Sequence, residues 1–325
     1  MAIAAKQSIG VWWNASSLRD PHARSASMSA PHASTMTSRD YLTALAITVV
    51  WGVNFVVIKI GVGEAPPLML AALRFLVVIF PAIFFVKPPA TSWRIVAGYG
   101  IFIAVLQFAF MFSAVSLGMP AGLTSLVVQS QMFFTMLAVW FAFGERPVFQ
   151  QILGALVAFG GILVIASQRW GGAGLLPFLL VIGGAASWGA GNVIGKFAGR
   201  VDMLAFIVWS SLVAPLPLLG MSAVVEGRAA WAAVANGGWL LWGCVVYLAW
   251  LGTIFGYSLW ARLLSRHSAA EVAPFSLLVP LSGMASARLA FGETASAVEW
   301  MGAGLVLAGL SWNVFGPRLM ARALR

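Results

Sequence analysis

Ten apolar runs, each long enough to cross a bilayer as a helix, occupy most of this chain. They fall at roughly 41–60, 68–86, 95–116, 121–143, 150–167, 175–197, 203–224, 239–263, 269–291 and 298–316. A helix rising about 1.5 Å per residue needs about 20 such residues to traverse about 30 Å of hydrocarbon. The breaks between runs are built from helix breakers and charge, as in "GEAPP", "KPPATSWR", "GMPAG", "GERP", "GRVD" and "GETAS". Of the 325 residues, 61% are hydrophobic and 9% charged, against about 45–50% and about 25% in a soluble domain. The acidic residues, 9 in all, are too few to clothe a water-facing surface. The expected fold class is an all-α polytopic membrane protein of ten transmembrane helices, with the lipid bilayer as its first partner.

The formal charge of +10 would point to nucleic acid in a soluble protein. Here the basic residues lie between the runs, so they read as topology determinants and no nucleic-acid partner is expected. An N-terminus in the cytoplasm puts Lys6, Arg19, Arg24, Arg39, Lys87, Arg94, Arg146, Lys196, Arg200, Arg262, Arg266, Arg318, Arg322 and Arg325 on that side. Arg169 and Arg228 are left in outer loops, with Arg288 near the outer end of the ninth run. The expectation is a multi-pass protein of a bacterial inner membrane with both termini cytoplasmic.

The one cysteine, Cys244, excludes an internal disulfide and any cysteine-rich metal site. The histidines are His22, His32 and His267, and no HExxH, GxSxG or Walker A pattern occurs. No metal, cofactor or enzymatic activity is expected. Residues 1–40 are rich in Ser, Ala and His and lack the apolar core of a secretory signal. They read as a disordered tail, or as an over-extended start with the true one near Met36; a regulatory arm is the alternative.

"WGVNFVVIK" at 51–59 returns as "WGAGNVIGK" at 188–196, an offset of 137. "FGE" at 143–145 returns at 291–293, an offset of 148, and Gly154 and Gly161 match Gly302 and Gly309 at that same offset. The added residues fit the longer connection at 225–238. The chain thus reads as a five-span unit (41–167) and a second one (175–316), followed by a basic tail at 317–325. Because five is odd, the second unit enters the membrane from the opposite side, the inverted repeat of secondary transporters. Lys59 then closes the first span at one face and Lys196 the sixth at the other, each about 12 Å along its helix from its tryptophan. They read either as snorkelling anchors or as paired gates.

Polar groups at mid-membrane depth are costly and usually face the protein interior. Asn54, Gln107, Gln129, Gln131 and Asn192 are expected to line a cavity suited to a zwitterion or small polar metabolite, with interhelical hydrogen bonding as the plainer alternative. Arg74 lies about 9 Å inside the outer end of the second span. It is expected to meet a ligand carboxylate, to pair with Glu64, or to snorkel outward. Gly183, Ser187, Gly191, Gly195 and Gly199 form a small-residue packing stripe. The adjacent stripe of Gly184, Trp188, Asn192 and Lys196 is expected to face the cavity. Tyr257 offers a hydroxyl, and Pro274 and Pro280 are expected ligand contacts, hinges or kinks. Every acidic residue lies near a span end or in a loop. Facilitated efflux, or coupling through substrate charge, is therefore expected. Glu145 and Glu293 are expected to cap helices or pair with Arg146 and its neighbours.

"WGVNFVVIKIGVGEAPPLMLAALRF" resembles the opening of EamA-type proteins of the drug/metabolite transporter superfamily. Further likeness lies in "GMPAGLTSLVVQSQMFFTMLAVWFAFGE", "SWGAGNVIGK" and "VAPFSLLVPLSGMASA", so the resemblance runs from about Met36 to Pro317. It implies a basket of ten helices around a central cavity, with the fifth and tenth at the periphery. It also implies export of small amino acids, O-acetylserine and cysteine first among them. Carriage of another metabolite or drug, a channel, and a membrane-bound transferase are the competing readings. The last would need a His, Asp or Cys cluster at one interface, which the sequence lacks.

Overall fold

A computed structural model of the protein describes residues 36–168 and 174–323, apart from the side chains of 269–270 and 317–323. The tail before Met36, Arg169 and the last two residues lie outside the described residues.

Ten long helical elements alternate in direction: α1 Ser38–Glu64, α2 Pro67–Phe84, α3 Trp93–Ser116, α4 Ala121–Phe143, α5 Phe149–Ser167, α6 Leu175–Phe197, α7 Met203–Val225, α8 Trp239–Arg266, α9 Ala273–Phe291 and α10 Ala297–Ala323. Among the described residues, the first 9 are long and apolar enough to cross a membrane. The face where α1 begins is called the near face and the opposite one the far face. A short helix, Gly227–Ala235, fills the longer connection between α7 and α8.

Local sequence explains the ends. The first helix begins earlier than the apolar run suggests, because Thr37 and Asp40 form a capping box that satisfies the first amides. Pro67 opens α2, where its missing N–H does no harm. The next amides, of Leu68 and Met69, donate to the Glu226 carboxylate at 2.7 and 3.1 Å. In both copies of Phe-Gly-Glu, the phenylalanine is the last helical residue. The glycine then turns left-handed, Gly144 at φ 68° and Gly292 at φ 65°, as a helix stop requires. Glu145 and Glu293 therefore leave their helices at corresponding places on opposite faces.

The repeat also explains the packing. A Cβ on Gly52 would meet the backbone of Gly283 in α9 at 2.7 Å, and one on Gly189 that of Thr135 in α4 at 2.8 Å. The Trp-Gly glycines thus seat α1 on α9 and α6 on α4, each contact joining the two halves. Helices α5 and α10 cross through matched glycines. Gly161 meets the Gly302 carbonyl at 2.5 Å and Gly154 that of Gly309 at 2.7 Å, in each case measured from an added Cβ. The small-residue stripe of α6 packs on α3, with Gly183 against Phe110, Gly191 against Ile103 and Gly195 against Tyr99. Exposed side chains such as Phe84, Phe141, Leu216 and Leu289 form the lipid-facing exterior.

Helices α3 and α8 widen into π geometry at matching positions of the two repeats. Gly100–Leu106 in α3 and Tyr247–Phe255 in α8 are π-helical, with widened turns of the kind often found at functional sites. In α8, the Thr253 hydroxyl fills the wider turn by donating to the Leu248 carbonyl five residues back, at 3.0 Å.

Candidate functional site

Each repeat's lysine is bound by the other repeat's glutamate. At the far face, Lys59 Nζ donates to Glu293 Oε1 at 2.6 Å. At the near face, Lys196 Nζ donates to both oxygens of Glu145, at 2.8 and 2.7 Å. Of the alternatives for these residues, the lysines do more than snorkel, and the glutamates pair across the repeat rather than with Arg146. Each ammonium also lies over the phenylalanine of its partner's motif, Lys59 4.4 Å from the Phe291 ring and Lys196 4.5 Å from the Phe143 ring.

The two pairs are not equal. Glu293 also accepts from the amides of Ala121 and Gly122, both at 3.0 Å, so it closes the start of α4 as well as holding Lys59. Its side chain is 17% exposed, whereas that of Glu145 is 42% exposed. Burial alone would raise the Glu293 pKa. The hydrogen bond from Lys59 and those from the Gly122 and Ala121 amides outweigh it, and the carboxyl sits below its ordinary value of 4.5.

Between the faces lies a small cavity of about 30 Å³, walled by Arg74 and Phe75 of α2, Tyr99, Ile103, Ala104 and Phe108 of α3, Ile207, Ser210 and Ser211 of α7, and Thr253 and Tyr257 of α8. Arg74 is 2% exposed, and its guanidinium carbon stands 3.9 Å from the Phe108 ring centroid. Its Nη2 donates to Thr253 Oγ1 at 2.8 Å, while Nε and Nη1 are buried without a protein partner. Arg74 therefore neither snorkels nor meets Glu64. Tyr257 packs on Trp51, ring centroids 5.3 Å apart, and Trp51 Nε1 donates to the Gly252 carbonyl at 3.0 Å. The Trp-Gly motif thus buttresses α8 behind the cavity.

Of the residues expected to bind substrate, Arg74 and Tyr257 border this cavity. Asn192 of α6 instead donates to Gln131 Oε1 and Thr135 Oγ1 of α4, at 3.1 and 3.0 Å. Gln107 is buried, its Oε1 without a protein partner. Asn54 is partly buried and faces Gly252, 2.6 Å from an added Cβ there. Gln129 sits in the 3₁₀ turn Val128–Ser130, and Trp188 packs against the main apolar core. Pro274 belongs to the 3₁₀ segment Ala273–Leu277, and the Pro280 carbonyl accepts from Ser125 Oγ at 3.4 Å. The cavity hydroxyls of Tyr99, Ser210, Ser211 and Thr253 escape sequence reasoning, because single hydroxyls are ordinary in membrane helices. The adjacent Ser210-Ser211 pair at mid-depth was the available signal.

The model of the EamA-like transporter family matches residues 39–167 and again 175–315, the two halves described above. A "Probable amino-acid metabolite efflux pump" of Escherichia coli (strain K12) is 42% identical over 290 residues, spanning 87% of this chain and 97% of that protein. Its counterpart by name in Salmonella typhimurium is 43% identical over 295 residues, 89% of this chain and 99% of that one. A solved structure described only as "Crystal structure of protein" aligns at TM-score 0.55 and 19% identity, over 87% of this chain and 99% of its own. That likeness shows the fold. With both halves matched and relatives this similar over nearly their whole length, the chain belongs to the EamA-like transporter family.

Proposed function

We propose that the protein is an inner-membrane efflux carrier for small amino acids and related metabolites, O-acetylserine and cysteine first among them. It works by alternating access of its two inverted repeats around the Arg74 cavity. The observation that carries this reading is the crossed ion pairing, Lys59 with Glu293 at one face and Lys196 with Glu145 at the other. Each pair ties a helix end of one repeat to a helix end of the other. Parting one while keeping the other opens a single face, as an alternating carrier must. The near face is the cytoplasmic one by the distribution of lysine and arginine.

The described acidic residues support transport without a dedicated proton carrier. Asp202 caps α7 through the Ala205 amide, Glu271 caps the turn at Ser268, and Glu226 holds α2. None of these lies in the cavity wall. Reconstituted protein loaded with labelled O-acetylserine should show saturable efflux that excess cysteine inhibits, with or without a pH gradient. Efflux no faster than from protein-free liposomes would refute the substrate assignment. Strict dependence on an imposed proton gradient would refute the coupling.

A further inference from the structure

We propose that Arg74 anchors the carboxylate of the cargo, and that the carrier selects cargo by that carboxylate and not by the ammonium. The proposal rests on the carrier reading above and names the chemistry its site recognises. A guanidinium has five N–H donors and no acceptor. In Arg74 one nitrogen has a partner, the neutral Thr253 hydroxyl, and the other two are buried without a protein partner. Thr253 is itself committed as a donor to Leu248, so it faces Arg74 with a lone pair. A buried cation with unmet donors is among the costliest features a fold can keep. It is stable in this place when an anion completes it during the transport cycle.

The wall around Arg74 carries hydroxyls, aromatic rings and aliphatic groups, and no carboxylate. An ammonium finds no opposite charge there, while a carboxylate finds a stacked, oriented fork. The placement is central. At the repeat offset of 137 set by Trp51 and Trp188, the counterpart of Arg74 is Ser211, which borders the same cavity. The cavity therefore sits where the two repeats meet, with the cation supplied by the first alone. Its about 30 Å³ falls far below the roughly 300 Å³ of a small-ligand pocket. The conformation is thus closed around the anchor, and admitting cargo requires the π-helical stretches carrying Ile103, Ala104 and Thr253 to move apart.

The test uses the full-length protein and three thiols that differ by one charged group each. Proteoliposomes are loaded with labelled L-cysteine under reducing conditions. The competitors are 3-mercaptopropionate, which keeps the carboxylate and lacks the ammonium, and cysteamine, which keeps the ammonium and lacks the carboxylate. The expected result is inhibition by 3-mercaptopropionate within about tenfold of unlabelled cysteine, and little by cysteamine. Arg74→Lys, which keeps the charge and loses the fork, should raise the half-saturating cysteine concentration by about 30-fold, as for breaking a desolvated bidentate pair. In detergent, 3-mercaptopropionate should raise the unfolding temperature of the natural protein and not that of Arg74→Lys. Equal competition by cysteamine, or unchanged half-saturation in Arg74→Lys, overturns the proposal. Absent cysteine efflux in the natural protein overturns the function reading, and the unfolding series then still decides whether Arg74 receives a carboxylate.

Discussion

Glu293→Gln should open the far face, and Glu145→Gln should not. In the natural protein the Glu293 carboxylate receives Lys59 and two backbone amides at hydrogen-bond distance. Hydrogen bonds to a charged group contribute about 1.5–3 kcal/mol each, and a half-exposed ion pair about 1 kcal/mol. Glutamine keeps one acceptor, loses the other and turns an amide donor toward donors. The loss is about 3 kcal/mol, or roughly 150-fold in the balance between closed and open far faces. Glu145 holds only Lys196 in the described contacts and is 42% exposed, so its glutamine variant loses about 1 kcal/mol at most. Cys244 reports the difference. It is the only cysteine in the chain, is 5% exposed, and lies beside Gly61 of α1, 3.5 Å from an added Cβ, about 8 Å from the far end of α8. Labelling by a membrane-impermeant maleimide should accelerate by about two orders of magnitude in Glu293→Gln. It should stay level or slow in Glu145→Gln, where the near face is the one released. Equal acceleration in both variants, or none in a folded Glu293→Gln, would refute the reasoning.

Three further outcomes follow from the same contacts. Because the Glu293 pKa is depressed in the closed far face, the ion pair's contribution is complete above the ordinary value of 4.5 and lost only as pH falls below it. Cys244 labelling, corrected for thiolate fraction, should therefore be flat between about pH 6 and 8. Exchanging the charges with Lys196→Glu and Glu145→Lys together should restore much of the activity that either change removes. The same exchange of Lys59 and Glu293 should not, because a lysine at 293 would face the Ala121 and Gly122 amides; rescue assayed by efflux separates the two. Gly161→Ala would place a methyl 2.5 Å from the Gly302 carbonyl and should destabilise the α5–α10 crossing by about 1–3 kcal/mol. Gly160→Ala, which meets nothing within 4 Å, should leave the unfolding temperature unchanged.

The architecture was legible because the bilayer imposes length and the repeat imposes symmetry. Apolar runs and their breakers located the helices, and Trp-Gly, Phe-Gly-Glu and the four matched glycines marked positions that the fold uses twice. The partners of those motifs were not legible. Lys59 and Glu293 stand 234 residues apart, and nothing local tells a paired lysine from a snorkelling one. Mid-depth glutamines and asparagines read either as cavity groups or as interhelical bonds, and Asn192 and Gln131 bond to each other across α4 and α6. Arg74 stood out by its charge alone. The π-helical turns that carry the wall beside it leave no signature in composition or spacing.

The most direct test of alternating access is counterflow. Proteoliposomes preloaded with unlabelled cysteine are placed in dilute labelled cysteine, with no ion gradient. A carrier that presents one Arg74 site to each face in turn should draw label inward transiently above its equilibrium level, and Arg74→Lys should shrink the overshoot at the same cysteine concentrations. Label that rises monotonically to equilibrium, whether or not unlabelled cysteine is inside, would contradict alternating access and point to an open pathway.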